Sequence, residues 1–108
     1  MKGGVTGTYS EVPKRKATMK REMPCLAYDR EQRCVYVIGG MDEKSVSLYS
    51  VLDDQWRDDL PQLARSRSGA AACIVKGFIY VVGGASMDNE GFYSETIERL
   101  DTRIGPQE

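Results

Sequence analysis

An apolar run that closes on two glycines occurs twice in this chain, and this repetition most constrains its fold. Residues 35–40 read VYVIGG and residues 79–84 read IYVVGG, so the second copy follows the first after 44 residues. Nearly every residue of 34–38 is apolar and favours β-structure, which is typical of a strand covered on both faces. Self-similarity at a period of about 40–50 residues predicts a fold of repeated supersecondary units.

Short strands and turn signals alternate around both glycine pairs. In the first copy we predict strands at 25–29, 34–38, 46–50 and 55–60, a hairpin loop at 30–33, a loop at 40–44 and a turn at 53–54. In the second copy we predict strands at 69–75, 78–82 and 96–101, with a turn at 76–77. A register of 44 aligns Ala27 with Ala71 and Tyr36 with Tyr80. Beyond the glycines the register becomes 51, which places an insertion of seven residues in the following loop.

Composition excludes several classes of protein. The formal net charge of −1 gives no overall attraction to nucleic acid or to an anionic membrane. The sequence has no apolar run of membrane-spanning length and no secretion signal at its start. We therefore expect a cytoplasmic protein with reduced thiols and with neither nucleic acid nor membrane as a partner. Of the cysteines, Cys34 and Cys73 lie in apolar strands and are interpreted as small core residues.

The absence of histidine limits the chemistry further. Without it the chain cannot build a Ser–His or Cys–His nucleophile pair or a histidine-ligated copper or zinc centre. The cysteines form no C-x-x-C pair, and the acidic doublets lack the spacing of a calcium loop. Neither glycine pair is followed by the spaced glycines or Lys-Ser/Thr of a phosphate-binding loop. We therefore predict no catalytic residue, no metal ligand and no bound cofactor.

The N-terminal residues differ from the rest. Residues 1–22 carry two basic clusters and little apolar sequence, so we predict a poorly structured lead-in or the remnant of a preceding repeat. A nuclear-localisation or nucleic-acid role for these clusters is the alternative. The first repeat is placed at 23–66. The second is placed at 67–108 and lacks its outer strand, because the counterpart of Trp56 in the register of 51 would fall at Gln107.

The repeated unit resembles the Kelch repeat of β-propeller proteins. The resemblance covers residues 25–102 and depends on a shared set of signature residues: Tyr36, Gly39, Gly40, Tyr49, Trp56, Arg67, Tyr80, Gly83 and Gly84. One departure is that Met23 occupies the position matching Arg67 in the first repeat, with Arg21 nearby. The resemblance implies an all-β fold, with about two four-stranded antiparallel blades of a larger propeller of about six blades.

Antiparallel order then predicts which loops lie together. The loops after the second and fourth strands of a blade lie at one end, so 41–44, 61–66 and 85–94 are expected to share a face. Arg67, at the edge of this face, is interpreted as a residue that maintains loop geometry. The candidate partner-binding residues of the face are Met41, Asp42, Arg65, Met87, Asp88, Glu90, Phe92 and Tyr93.

The resemblance also implies a function class. Kelch propellers are often non-catalytic protein-interaction modules, and many recognise substrates for cullin-RING ubiquitin ligases when joined to BTB and BACK domains. Alternatives are an actin-binding cytoskeletal protein or a propeller enzyme of the sialic-acid isomerase or copper-oxidase type. The expected partners are an unidentified ligase substrate or cytoskeletal protein. The open sheets additionally predict further blades in a parent chain or self-association through open edges.

Overall fold

Seven β-strands make up the regular structure of the described residues. The structure is a computed structural model that describes residues 7–9, 20–86 and 96–102. The strands are β1 Cys25–Asp29, β2 Cys34–Gly40, β3 Glu43–Ser50, β4 Gln55–Arg57, β5 Ala71–Val75, β6 Phe78–Val82 and β7 Ile97–Asp101. They form two antiparallel sheets, in the orders β1-β2-β3-β4 and β5-β6-β7. The predicted all-β class with antiparallel blades is confirmed.

Within the described ranges, the chain has no helix that is long and apolar enough to cross a bilayer.

The turn after the first glycine pair is shorter than the sequence predicts. The loop predicted at 40–44 is present, but its bounds are too wide, because β2 continues through Gly40 and β3 already begins at Glu43. Gly39 and Gly40 have φ angles of 64° and 131°, which are open to glycine and costly for other residues. These angles allow a register shift between Ile38 and Gly40, after which Gly40 still pairs with Glu43. Only two residues remain to form the turn.

The two hairpins that begin the sheets differ in register by two residues. In the first sheet Cys25 pairs with Ile38, whereas in the second Ala71 pairs with Val82. Because Ile38 and Val82 hold the same place before their glycine pairs, Ala71 is the counterpart of Cys25. The predicted match of Ala27 with Ala71 is therefore wrong. The cause is loop length, since four residues join β1 to β2 and two residues join β5 to β6.

The hydrophobic core lies between the two sheets. Its buried members are Cys25, Ala27, Cys34, Tyr36, Ile38, Val46, Leu63, Ile79 and Val81. Ile38 in β2 and Ile79 in β6, both inner strands of their sheets, are each 1% exposed. The prediction that Cys34 is a small core residue is confirmed, because Cys34 is buried. The same prediction is wrong for Cys73, which is exposed because it lies on the opposite side of its sheet from this core. Among the described residues, the core covers one side of each sheet.

The buried ring of Tyr36 predicts a loss of stability at alkaline pH. Burial, with Cys34 nearby, raises the pKa of Tyr36 from 10 to about 12. Its stabilising effect is therefore complete below pH 10 and is lost as the pH rises toward 12, because the unfolded side chain ionises first. We expect urea midpoints to fall across this range, and to fall less in Tyr36→Phe than in Tyr80→Phe. Equal decreases in the urea midpoints of the two variants would show that ionisation of Tyr36 does not cause the loss of stability.

Candidate functional site

Arg67 is the most buried charged residue of the described chain. It connects the two chain segments that flank the loop between β6 and β7. Its side chain is 1% exposed. Its Nη1 donates to the carbonyl oxygens of Gly83, at 2.8 Å, and Thr96, at 3.0 Å. Its Nε lies 2.9 Å from a carboxylate oxygen of Glu98 in β7. Arg67 therefore joins the end of β6 to the start of β7, on either side of the inserted loop.

Arg21 makes the equivalent hydrogen bonds to backbone carbonyls in the first sheet, where Ser47 stands in the place of Glu98. Its Nη1 donates to the carbonyl oxygens of Gly39, at 3.0 Å, and Ser45, at 2.9 Å. Its Nη2 donates to the hydroxyl of Ser47 at 2.7 Å. Gly39 and Ser45 occupy the places of Gly83 and Thr96 in the other sheet. Arg21 is thus the structural counterpart of Arg67, and one arginine supports each glycine pair.

This finding corrects the alignment of the first repeat. Sequence reasoning matched Met23 to Arg67, but Met23 is 59% exposed and Arg21 makes the equivalent bonds. The two-residue difference in hairpin loop length explains the error. It shifts β1 and the residues before it by two positions relative to their counterparts in the second repeat. A register of 46 for residues before the hairpin would have found Arg21. Arg21 and Glu22 already contact the first sheet, although both lie before the predicted boundary at 23.

Arg21 is more exposed than Arg67, and two carboxylates lie near enough to influence its guanidinium. Burial lowers the pKa of the Arg21 guanidinium, and the carboxylates of Glu43 and Asp58 oppose this shift. A hydrogen bond from Ser45 lowers the pKa of Glu43, with a smaller contribution from Arg21. Asp58 accepts a 2.6 Å hydrogen bond from Ser47, which itself accepts from Arg21. This polar network connects the start of β3 to the chain that leaves β4.

Close backbone approach explains why glycine occupies both pairs. A Cβ built on Gly39 would lie 3.1 Å from the carbonyl oxygen of Arg67 and 3.1 Å from a methyl group of Leu63. On Gly84, at a φ of 93°, it would lie 3.1 Å from Cβ of Arg67 and from Cβ of Ala70. A Cβ at either position would push neighbouring atoms away by a few tenths of an ångström, and the positive φ angles add strain for any other residue. The glycines therefore allow the arginines and the loops to come together.

The described parts of the three predicted loop segments meet at one end of the sheets. The amide of Leu63 donates to the carbonyl of Lys44 at 2.8 Å. The hydroxyls of Ser66 and Ser86, both buried, lie 3.3 Å apart. Two backbone hydrogen bonds of 2.9 Å join Ser68 to Ala85. We call this surface the loop end, comprising Met41–Lys44, Pro61–Ser66, Ala85 and Ser86.

Three of the eight candidate partner-binding residues lie at the loop end within the described chain. Met41 is 47% exposed, Asp42 is exposed at a φ of 56°, and Arg65 is partly exposed. The other five candidates, Met87, Asp88, Glu90, Phe92 and Tyr93, lie outside the described residues. The role of all eight in partner binding stays a prediction.

The signature aromatics lie away from the loop end. The ring of Trp56 in β4 lies 5.1 Å from that of Tyr49 in β3, measured between centroids. The Tyr49 hydroxyl donates to Asp54 in the turn between these strands at 2.8 Å, so the aromatic pair and the turn stabilise each other. Tyr36 is buried between the sheets, whereas Tyr80 is only partly buried. These residues therefore contribute packing at the blades rather than surface at the loop end.

The geometry offers little for small-molecule chemistry. Among the described residues, no three Cys, Asp or Glu side chains are grouped closely enough to hold a metal ion. A cleft of about 150 Å³ lies between the sheets, with Ile38 and Val46 on one side and Ile79 and Val81 on the other. Its apolar lining belongs to the core, and its volume is below the roughly 300 Å³ at which ligand pockets begin.

Comparison with known proteins identifies relatives that carry the same repeat. The chain is 37% identical over 84 residues to an F-box/kelch-repeat protein of Arabidopsis thaliana, covering 70% of this chain and 23% of the relative. A second F-box/kelch-repeat protein of that plant is 35% identical over 74 residues, covering 64% of this chain and 21% of the relative. Kelch repeat and BTB domain-containing protein 2 of horsepox virus is 27% identical over 71 residues, covering 62% and 13%.

These alignments also show how much of each relative the chain covers. The chain spans about a fifth to a quarter of the length of the Arabidopsis relatives. No protein-family profile matches it. The relatives are nevertheless named for Kelch repeats, and the two sheets each carry a glycine pair supported by a buried or partly buried arginine. The chain belongs to the Kelch-repeat family.

Proposed function

We propose that this chain is part of a non-catalytic protein-interaction module, in which the loop end contacts a protein partner. The observation that carries the proposal is the meeting of the described loop segments at one end, where Met41, Asp42 and Arg65 are accessible. An exposed methionine beside an acid and an arginine offers the mixed apolar and charged chemistry of protein interfaces. Kelch-repeat relatives are typically interaction modules of this kind, which also supports a role without catalysis.

The rigidity of the loop end supports the same proposal. Arg21 and Arg67 bind the backbone carbonyls beside both glycine pairs, and the Leu63–Lys44 hydrogen bond joins the link between the sheets to β3. A surface held in one conformation loses less entropy on binding than a mobile loop does. The loop end is therefore suited to recognition with a preformed shape.

We further propose that the whole protein acts as the substrate-recognition part of a cullin-RING ubiquitin ligase adaptor in the cytoplasm. Support comes from the relatives, whose names combine Kelch repeats with an F-box or a BTB domain. The proposal requires further blades and an adaptor domain in the parent chain. Actin binding stays an alternative prediction that no observation at the loop end favours.

Charge reversal at Arg65 tests the recognition surface. We expect affinity capture with the protein expressed from its complete gene to recover at least one partner roughly tenfold less well from Arg65→Glu, equivalent to about 1.4 kcal/mol. The thermal midpoint should not change, because within residues 7–9, 20–86 and 96–102 no hydrogen bond of the Arg65 side chain supports the sheets. Mass spectrometry of the captured proteins measures the first quantity and thermal denaturation the second.

Arg30→Glu is the matched control for this test. Arg30 is an exposed arginine in the β1–β2 loop, at the opposite end of the sheets. Equal capture by the two variants, or unfolding of Arg65→Glu, would contradict recognition at the loop end. A cullin among the proteins captured by all variants would support the adaptor role, and its absence would reject that role alone.

A further inference from the structure

Each glycine pair is followed by the same backbone contact in both repeats. In the first repeat, the amide of Met41 donates to the carbonyl oxygen of Glu22 at 2.9 Å. In the second, the amide of Ala85 donates to the carbonyl oxygen of Ser68, also at 2.9 Å. Met41 and Ala85 each stand directly after the second glycine of their pair. The backbone therefore accepts alanine at this position, and the fold does not require the methionine side chain.

The residue after Glu22 differs between the repeats in the same way. Met23 has a φ angle of 55°, and its counterpart in the register of 46, Gly69, has a φ angle of 69°. This left-handed conformation suits glycine and strains a residue that has a Cβ. Of the five described non-glycine residues with positive φ, Met23 alone is apolar. Glycine would therefore serve the fold at least as well as methionine at position 23.

Both methionines expose their side chains on adjoining chain segments. Met23 is 59% exposed and Met41 is 47% exposed. The hydrogen bond from Met41 to Glu22 joins the two segments, since Glu22 directly precedes Met23. Large apolar side chains in solvent, at positions where the second repeat has alanine and glycine, indicate contact with another molecule. Methionine is enriched in protein interfaces, where its flexible thioether adapts to the shape of a partner.

Acidic residues stand directly beside both methionines along the chain. Glu22 precedes Met23 and Asp42 follows Met41, and both acids are exposed. The counterpart of Glu22 in the second repeat is the uncharged Ser68. Carboxylates beside an apolar contact favour a partner that brings a cation to the same place. The charge therefore indicates which partner chemistry the methionines would receive.

We propose that the first repeat carries a binding site for a segment of a protein partner in which an apolar side chain stands next to a lysine or arginine. The site comprises Glu22, Met23, Met41 and Asp42, and we call it the methionine site. The apolar side chain packs on the two methionines, and the cation interacts with the flanking carboxylates. The inference rests on the proposed function, because it extends the loop end to the chain before β1 and names the kind of partner.

Selection of peptides tests the methionine site. The protein expressed from its complete gene is immobilised, and a displayed library of random short peptides is passed over it. Sequencing of the retained peptides should show enrichment of apolar residues beside lysine or arginine. The double variant Met23→Gly, Met41→Ala carries the residues of the second repeat, and it should retain roughly tenfold fewer of these peptides. Its thermal midpoint should not fall, because the second repeat has the same backbone with these residues.

Two further comparisons separate the apolar contact from a change in structure. Met23→Leu and Met23→Gln both keep a sizeable side chain but differ in polarity, so the leucine variant should retain more of the enriched peptides. This comparison decides the question even if the double variant is less stable. Leu52→Ala is the matched control, because Leu52 is 68% exposed in the turn between β3 and β4, at the opposite end of the sheets. This control should retain as many peptides as the unchanged protein.

Three outcomes would overturn the methionine site. The first is equal retention by the double variant and the unchanged protein. If Arg65→Glu then removes those peptides, the loop end still binds a partner and the proposed function stands. The second is enrichment of acidic residues beside the apolar ones, or no enrichment of any peptide. The third is equal retention by Met23→Leu and Met23→Gln, which would show that an apolar side chain is not what the peptides contact.

Discussion

Replacing Arg67 with alanine is expected to lower the free energy of unfolding by about 3–5 kcal/mol, the range for removing one partner of a buried charged pair. The guanidinium, 1% exposed, satisfies the carbonyl oxygens of Gly83 and Thr96 and pairs with Glu98, whose side chain is 21% exposed. Its removal would leave all three acceptors without this donor and would open a cavity where the almost fully buried guanidinium lies. Urea denaturation of the dilute 108-residue chain, followed by circular dichroism, measures the loss.

A second arginine–carboxylate pair provides the control. Arg57 lies 3.2 Å from Asp59, but these side chains are 44% and 71% exposed, so water solvates both when the pair is broken. We therefore expect Arg57→Ala to leave the urea midpoint nearly unchanged. A midpoint for Arg67→Ala close to that of Arg57→Ala would show that the buried network does not support the loop end.

The second large effect is expected at Tyr36. Tyr36→Ala should cost about 3–5 kcal/mol, as is usual for truncation of a buried large aromatic side chain. The ring is 5% exposed and lies in the core between the sheets, directly paired with Ala27 and Leu48. Truncation would open a cavity that the antiparallel sheet cannot close without disturbing both neighbouring strands. Chemical denaturation at low protein concentration measures the cost.

Tyr80 is the internal control for this prediction, because the two tyrosines hold the same place in the repeat. Tyr80 is only partly buried, on the open side of its sheet, so Tyr80→Ala should cost less than half as much as Tyr36→Ala when the chain is monomeric. Equal costs would mean that the contact between the sheets contributes little to stability.

Both predictions concern the scaffold, and the scaffold determines how the loop end can act. Arg67 connects the strands on either side of the inserted loop, and Tyr36 maintains the contact between the sheets that carry the loop segments. Variants at these positions should therefore weaken partner binding through unfolding. Arg65→Glu should weaken binding in a folded chain, so the two kinds of variant separate stability from recognition.

Sequence alone predicted the elements that depend on neighbours along the chain. The strands at 25–29 and 78–82 have the predicted bounds, and the turn at Asp53 and Asp54 lies where the acidic pair indicated. These features follow from apolar content, residue alternation and turn chemistry within about ten residues, all of which can be read from the sequence. The glycine pairs, and with them the Kelch resemblance, were visible for the same reason.

Tertiary structure decided what depends on distant partners. The sequence contains the same tyrosine in both repeats, yet only Tyr36 is buried, because a second sheet covers its side and none covers that of Tyr80 among the described residues. Cys73 is exposed for the same reason. Arg21 replaced Met23 as the counterpart of Arg67 because the β1–β2 loop is two residues longer than the β5–β6 turn, which changes the register on one side only. Burial and hydrogen-bond partners are set by which surfaces meet in space, and repeat spacing does not encode that.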